Sequence, residues 1–113
     1  MMTDVPIKII NKALFQARTG VYNPVDGYAY RRDLDTGTAC WLDYERTLLQ
    51  YVCPCGCHAT NTIPVGAKDT DGWGGKLWLW DGRRFEPTLT PSIQQYSACR
   101  WHGYLTAGVW KTA

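Results

Sequence analysis

The sequence predicts a mainly β, small single domain of antiparallel hairpins around a Cys/His metal site. Three observations lead to this prediction. Short runs of β-branched, aromatic and aliphatic residues are separated by Gly, Pro and Asp turn signals. Cysteine and histidine are concentrated in two short segments, at residues 53–58 and 99–102. The chain has 113 residues, enough for one domain that a bound metal would help to stabilise.

Residues 1–113 are expected to form a single domain, with a variable N-terminal portion at 1–45 and a metal-binding β core at 46–113. Residues 6–10 have the composition of the start of a strand. Residues 11–18 are predicted to form a short helix, with Asn11 as its N-cap and Gly20 just beyond its end. Residues 20–38 combine Gly, Pro and Tyr, which predicts short extended pieces and turns.

The β core is predicted to begin with a hairpin that carries the first Cys/His segment at its tip. Residues 47–52 form a strand that runs into Cys53, and residues 59–65 form the returning strand. A Gly/Asp loop follows at 66–75, then a short strand at 76–80 and an Asp81-Gly82 turn. Two prolines at 85–93 predict an edge strand or a loop there. Residues 104–105 and 109–110 are expected to pair as a terminal hairpin.

Aromatic residues are frequent, with six Trp and seven Tyr against two Phe. In the strand at 76–80, alternation sends Leu77 and Leu79 to one face and Trp78 and Trp80 to the other. Both faces are then apolar, which predicts a strand that is buried on both sides. We therefore favour core packing of these rings over a binding platform.

Charge and cysteine usage restrict the class of protein. The formal net charge is only +2, whereas a dedicated nucleic-acid-binding domain usually has a basic stripe and a higher pI. No apolar run approaches the ~18 residues of a membrane span, and the N-terminus lacks the pattern of a signal peptide. The close spacing of Cys53, Cys55 and Cys57 is typical of reduced thiols that bind a metal. The expected location is cytoplasmic, or the host cytoplasm for a phage-encoded protein.

The two Cys/His segments offer six candidates for about four zinc ligands. Cys99 and His102 form a C-x-x-H pair on one turn, and Cys53 with Cys55, or Cys55 with Cys57, forms a C-x-C pair. The strand leading into Cys53 favours the first choice, which makes Cys57 a spare thiol. His58 is the weakest candidate. The predicted metal residues are Cys53, Cys55, Cys57, Cys99 and His102, with zinc as the metal and a [2Fe–2S] cluster as the alternative.

At these residues the chain resembles two kinds of protein. The order Cys99-x-x-His102-Gly103, with Cys53-Pro-Cys55 before it, resembles a Rieske-type motif in which a cysteine replaces the first histidine. Over a longer stretch, CPCGC followed by PTLTPSI and CxxH resembles a family of small uncharacterised proteins from bacteria and their phages. That second resemblance implies a zinc-binding domain and no established activity. The fold is accordingly expected to be Rieske-like or zinc-ribbon-like.

The sequence provides no convincing catalytic group. Ser92 is not in a G-x-S-x-G elbow, and neither histidine can be assigned as its base. We therefore expect a zinc-stabilised, non-enzymatic interaction module that binds a host protein, for example as an inhibitor of host defence. One alternative is a Rieske-like electron carrier. Another is weak nucleic-acid binding through a basic set that comprises Arg31, Arg32, Arg83, Arg84 and Arg100.

Overall fold

The computed structural model describes residues 4–16, 21–24, 28–43, 47–66, 77–95 and 99–113. These residues form one short helix and eleven strands. In chain order the elements are β1 (Val5–Pro6), β2 (Lys8–Ile9), α1 (Lys12–Phe15), β3 (Val21–Asn23), β4 (Tyr28–Tyr30), β5 (Thr38–Asp43), β6 (Thr47–Val52), β7 (Thr60–Gly66), β8 (Trp78–Trp80), β9 (Leu89–Gln94), β10 (His102–Thr106) and β11 (Val109–Thr112).

Most strands belong to one sheet with the order β1-β11-β10-β9-β8-β7-β6-β5-β2. The two ends of this sheet, β1 and β2, are separated in sequence only by Ile7. The N-terminal segment therefore pairs with β11 on one side and with β5 on the other, which closes the sheet into a barrel. The Cα radius of gyration is 13.3 Å, the value expected for a compact domain of this length. The predicted mainly β single domain is confirmed.

The barrel interior is filled by large side chains from most strands. Trp110 lies at its centre, with its ring centroid 4.8 Å from that of Tyr51 and 5.9 Å from that of Trp101. The indole nitrogen of Trp110 donates to the carbonyl of Gly37, which satisfies its polar group. The buried interior residues are Ala39, Trp41, Leu49, Tyr51, Cys53, Ile63, Val65, Leu89, Ile93, Trp101, Leu105 and Trp110.

Strand β5, which was not the strand predicted, is buried on both faces. Ala39 and Trp41 point into the barrel, while Cys40 and Leu42 lie on the outer face, in a second apolar cluster that includes Phe15 of α1. In β8, by contrast, Trp78 and Trp80 pack on the core but Leu79 is 42% exposed. The expectation of two buried faces at 76–80 is therefore wrong at Leu79, although Leu77, just before β8, is buried as predicted.

Several local predictions are confirmed. Asn11 is the N-cap of α1, and its side chain accepts from the backbone N–H of Ala13. The hairpin of β6 and β7 and the terminal hairpin of β10 and β11 also form as expected. Residues 85–93 were predicted to be an edge strand or a loop: residues 85–88 lie outside the strands, but β9 is not an edge strand, since it lies between β8 and β10. Pro91 is accommodated there because the β9–β10 register shifts opposite it.

Some predictions concern parts of the chain that the structure does not describe. They include most of the Gly/Asp loop at 66–75, the start of the strand predicted at 76–80, the end of the helix predicted at 11–18, and the turn at 25–27. Among the described residues, no helix has the length and apolar character needed to cross a membrane.

Candidate functional site

Four cysteines meet at one end of the barrel. Cys53, Cys55 and Cys57 lie at the tip of the β6–β7 hairpin, and Cys99 lies in the connection that enters β10. Their sulfur atoms all lie within 4.8 Å of one another, and the Cys53 Sγ is 3.2 Å from that of Cys55 and 3.3 Å from that of Cys99. Sulfur ligands around a tetrahedral zinc are about 3.8 Å apart, so this thiol cluster could hold a metal ion.

Local backbone geometry lets the hairpin tip wrap around the sulfur atoms. Gly56 has a φ of 100°, which is accessible to glycine and strained for other residues. Within the tip, backbone N–H groups point at sulfur: Cys55 N–H donates to Cys53 Sγ at 3.4 Å and Cys57 N–H to Cys55 Sγ at 3.4 Å. Such donors stabilise thiolates and orient metal ligands.

Burial raises the pKa of two of these thiols, those of Cys53 and Cys57. Cys53 is fully buried, and this burial strongly raises the pKa of its thiol. Burial also raises the pKa of Cys57 to about 12. A bound divalent cation would compensate the charge of the thiolates, and its binding would release their protons.

His102 lies outside this thiol cluster, although it is only three residues from Cys99. Its ring Nε2 is 2.9 Å from the hydroxyl oxygen of Ser92. His102 is the first residue of β10, where alternation turns Gly103 and Leu105 inward and leaves His102 and Tyr104 exposed. The C-x-x-H segment is thus divided between two sites, Cys99 at the thiol cluster and His102 on the outer face of the barrel.

Ser92 and His102 are held by adjacent antiparallel strands. In the β9–β10 ladder, His102 is opposite Gln94 and Gly103 is opposite Ile93, and the register then shifts before Leu105. Such irregularities re-aim side chains and are frequent beside active sites. The carbonyl of Ser92 accepts from the indole of Trp78 at 3.2 Å, which fixes the backbone on the other side of β9. No carboxylate in the described residues is hydrogen-bonded to His102, so the pair is a dyad there.

His58, the other histidine of the chain, is held by two contacts with the backbone of Arg31. Its Nδ1 is 3.2 Å from the carbonyl oxygen of Arg31, and the Arg31 N–H donates to the His58 carbonyl at 2.8 Å. These contacts tie the hairpin tip to the segment that follows β4.

The chain was compared with known protein families, with curated proteins and with solved structures. Residues 28–113 match the family model described as bacterial ubiquitination-like system serine protease (BubE). The chain belongs to this family. No curated protein and no solved structure matches it significantly.

This membership corrects the function predicted from sequence. The expected non-enzymatic interaction module is wrong, because the family is described as a serine protease. The electron-carrier and nucleic-acid alternatives are contradicted by the same description. Two members of the basic set are held in ion pairs: Arg31 is buried against Asp33, and Arg84 is paired with Asp43.

Sequence reasoning missed the contact between Ser92 and His102 because it assigned His102 to the metal. One signal was available. In the pattern His-Gly-Tyr-Leu-Thr, the apolar Leu105 marks the inward face, which places His102 on the outward face. A second signal is scarcity, since the chain contains only two serines, Ser92 and Ser97, and two histidines.

Proposed function

We propose that this protein is a serine protease in which Ser92 is the nucleophile and His102 is the general base. The proposal rests on the 2.9 Å separation between Ser92 Oγ and His102 Nε2, which is hydrogen-bond distance for proton transfer. Family membership supports it, since a serine protease requires a serine and the chain has two.

The chemistry follows from this geometry. His102 Nε2 accepts the hydroxyl proton while Ser92 Oγ attacks the carbonyl carbon of the scissile bond, and the proton is then passed to the leaving amine. Water hydrolyses the resulting ester and regenerates Ser92. For Nε2 to accept the proton, the neutral ring must carry its hydrogen on Nδ1.

Exposed side chains flank the dyad on the outer face of the barrel. His102 and Tyr104 are exposed, and their ring centroids are 6.4 Å apart. Leu79 of β8 is opposite Thr90, two residues before Ser92, and is also exposed. Apolar side chains on both sides of a nucleophile are suited to binding an extended substrate. Because the family is described as part of a ubiquitination-like system, we propose that the substrate is a ubiquitin-like protein or its conjugate.

The thiol cluster has a different role in this proposal. Cys53, Cys55, Cys57 and Cys99 provide four sulfur ligands, which would fill a tetrahedral zinc shell and leave no position for water. The proposed ligand set therefore replaces His102 with Cys57. The metal would stabilise the fold by joining the β6–β7 tip to the start of β10.

The decisive experiment is labelling with a fluorophosphonate probe, which forms a bond from an activated serine oxygen to phosphorus and releases fluoride. The wild-type protein and the controls Ser97→Ala and His58→Ala are expected to be labelled, with the adduct on Ser92 by mass spectrometry. Ser92→Ala should show no labelling and His102→Ala very little. Labelling at Ser97, or labelling that is lost in His58→Ala and retained in His102→Ala, would refute the assignment.

The metal is tested by elemental analysis of the same sample. About one zinc per chain and no visible absorption band are expected for a four-thiolate site. Iron with visible absorption would refute the zinc assignment without affecting the assignment of Ser92 and His102.

A further inference from the structure

Gln95 is the first residue after β9 and is only 2% exposed. Its side-chain Nε2 is 2.9 Å from Cys53 Sγ and 3.7 Å from Cys99 Sγ. One amide group therefore contacts sulfur from both halves of the thiol cluster. A buried polar side chain in such a position is typical of residues that orient metal ligands.

The orientation of this amide follows from the chemistry of its neighbours. A metal-bound thiolate can only accept hydrogen bonds, so the NH2 group of Gln95 must face Cys53. Its Oε1 then faces the opposite way and accepts from Nδ2 of Asn61 at 3.0 Å. Asn61 of β7 thus fixes the amide that donates to the cluster.

The backbone around Gln95 leads directly to the two residues of the dyad. Gln95 is three residues after Ser92, and its N–H donates to the carbonyl of Trp101, the residue before His102, at 2.8 Å. The side chain of Gln94 reinforces this connection by donating to the carbonyls of Gln95 and Arg100 at 3.0 and 3.2 Å. The ends of the two strands that carry Ser92 and His102 are therefore joined at the residue that contacts the thiolates.

We infer that Gln95, held by Asn61, is a positioning residue that couples the metal–thiolate cluster to the Ser92–His102 dyad. The inference rests on the proposed protease function. When Gln95 donates to the thiolates, its backbone is fixed relative to Trp101, and the distance between Ser92 and His102 is fixed with it. When this hydrogen bond is removed, the metal remains bound by four sulfurs, but the two strand ends are free to shift.

The test uses Gln95→Leu, which has similar size and no donor, and Asn61→Ala, which leaves Gln95 in place and removes the Asn61 donor to its Oε1. Gln50→Leu is the matched control, because Gln50 also contacts a cysteine, with its Oε1 3.9 Å from the sulfur of Cys40, outside the cluster. Each variant is purified with zinc, and its metal content and its rate of fluorophosphonate labelling are measured. A cobalt-substituted sample of each gives the thiolate-to-cobalt absorption band.

Gln95→Leu is expected to keep about one metal per chain, to shift the cobalt band, and to label Ser92 about 10- to 100-fold more slowly. Asn61→Ala should change both readouts in the same direction by a smaller factor, and Gln50→Leu should change neither. Loss of labelling in proportion to loss of metal would reduce Gln95 to a structural role and overturn the inference.

The outcomes also separate this inference from the proposed function. If wild type is labelled at Ser92 and Gln95→Leu is labelled at the same rate, the coupling is refuted and the protease assignment stands. If wild type is not labelled at Ser92, both are refuted. An unchanged cobalt band in Gln95→Leu would show that the amide does not donate to a metal-bound thiolate.

Discussion

The thiol cluster and the Ser92–His102 dyad lie near the same end of strands β9 and β10 but differ in almost every physical respect. The cluster includes the fully buried Cys53 and is surrounded by backbone and side-chain N–H donors. The dyad is on the outer face, where His102 is exposed. Cys99 and His102 are three residues apart in sequence, yet one belongs to each site.

In the proposed assignment, one short motif serves two chemistries. A C-x-x-H pair on a tight turn would present both side chains to one metal. Here the turn ends at Trp101, whose ring is buried in the barrel, and His102 already follows the alternation of β10. Strand geometry therefore takes the histidine away from the thiols and brings it to a serine on the adjacent strand.

The largest expected effect separates the two sites by function. Because Ser92 and His102 act as a unit, His102→Ala should lower the rate of peptide cleavage by at least about 10³-fold, as should Ser92→Ala. Both variants should retain the metal content and the melting temperature of wild type, since neither side chain is in the thiol cluster. Proteolytic assays and elemental analysis on the same samples check this. Loss of metal in His102→Ala would place the histidine at the metal.

Removal of a thiolate should instead change the metal content and the stability of the protein. Cys99→Ser is expected to lose the metal and to lower the free energy of unfolding by more than about 4 kcal/mol, because metal binding here contributes to folding. Cys40→Ala is the control, since Cys40 is buried outside the cluster. Chemical denaturation with metal analysis measures both variants. A Cys99→Ser protein that retains stoichiometric metal would contradict the four-thiolate assignment.

A change at Gly103 tests the strand that connects the two sites. A Cβ at this position would lie 2.3 Å from the carbonyl oxygen of Lys111 and 2.4 Å from the Trp101 ring. Gly103→Ala should therefore destabilise the protein by about 2–3 kcal/mol and slow cleavage, because β10 must move. Gly82→Ala is the comparison: it meets no atom within 4 Å but has a φ of 88°, so a loss of about 1 kcal/mol is expected. The reverse ranking in denaturation curves would show that β10 has more space than the geometry indicates.

The pH dependence of the metal-free protein tests the burial of the thiols. Burial raises the pKa of Cys57 from an ordinary value of 9.0 to about 12, so the folded state holds its proton where the unfolded state has lost it. Stability of the metal-free form should thus be complete below pH 9.0 and decline as pH rises toward 12. Metal affinity should instead weaken as pH falls, because protons compete for the thiolates.

Denaturation of the metal-free protein across this range measures the effect. Cys40→Ala is a suitable background, because burial also raises the pKa of Cys40, to about 11. In that background, Cys57→Ala should reduce the alkaline decline, and the decline that remains is attributed to Cys53, whose pKa is also raised by burial. An unchanged slope would mean that Cys57 is not buried enough to favour its neutral form.

The smallest effect is expected at Arg84, whose observed contacts are with Asp43, Trp41 and Trp80. The guanidinium of Arg84 lies 5.7 Å from the Trp41 ring and 5.6 Å from the Trp80 ring, and it pairs with Asp43. Because this ion pair is exposed, Arg84→Ala should cost about 1 kcal/mol and leave metal content and cleavage rate unchanged. A large loss of activity would reveal that the β8–β9 connection contributes to the dyad.

Much of the fold was predictable because its signals are local. The run at 47–52 is rich in β-branched, aliphatic and aromatic residues and leads directly into the Pro/Gly-containing Cys53–Cys57 segment, and it is β6. Asn11 caps α1 because its short side chain reaches the first free N–H groups. The position of β9 was not predictable in this way, since Pro87 and Pro91 suggest an edge strand or a loop, and Pro91 is admitted within the sheet by the register shift beside β10.

By itself, the sequence determined that the chain is mainly β, because the strand signals are local runs of residues. It also determined that cysteines from two distant segments are available to a metal, because their close spacing can be read directly from the sequence. Only the tertiary structure decided that β1 and β2 close the barrel, and that His102 is beside Ser92 and not with Cys99. The physical reason is that register between strands depends on side-chain packing across the whole barrel. A residue's partner on the next strand is therefore fixed by contacts remote from it in sequence.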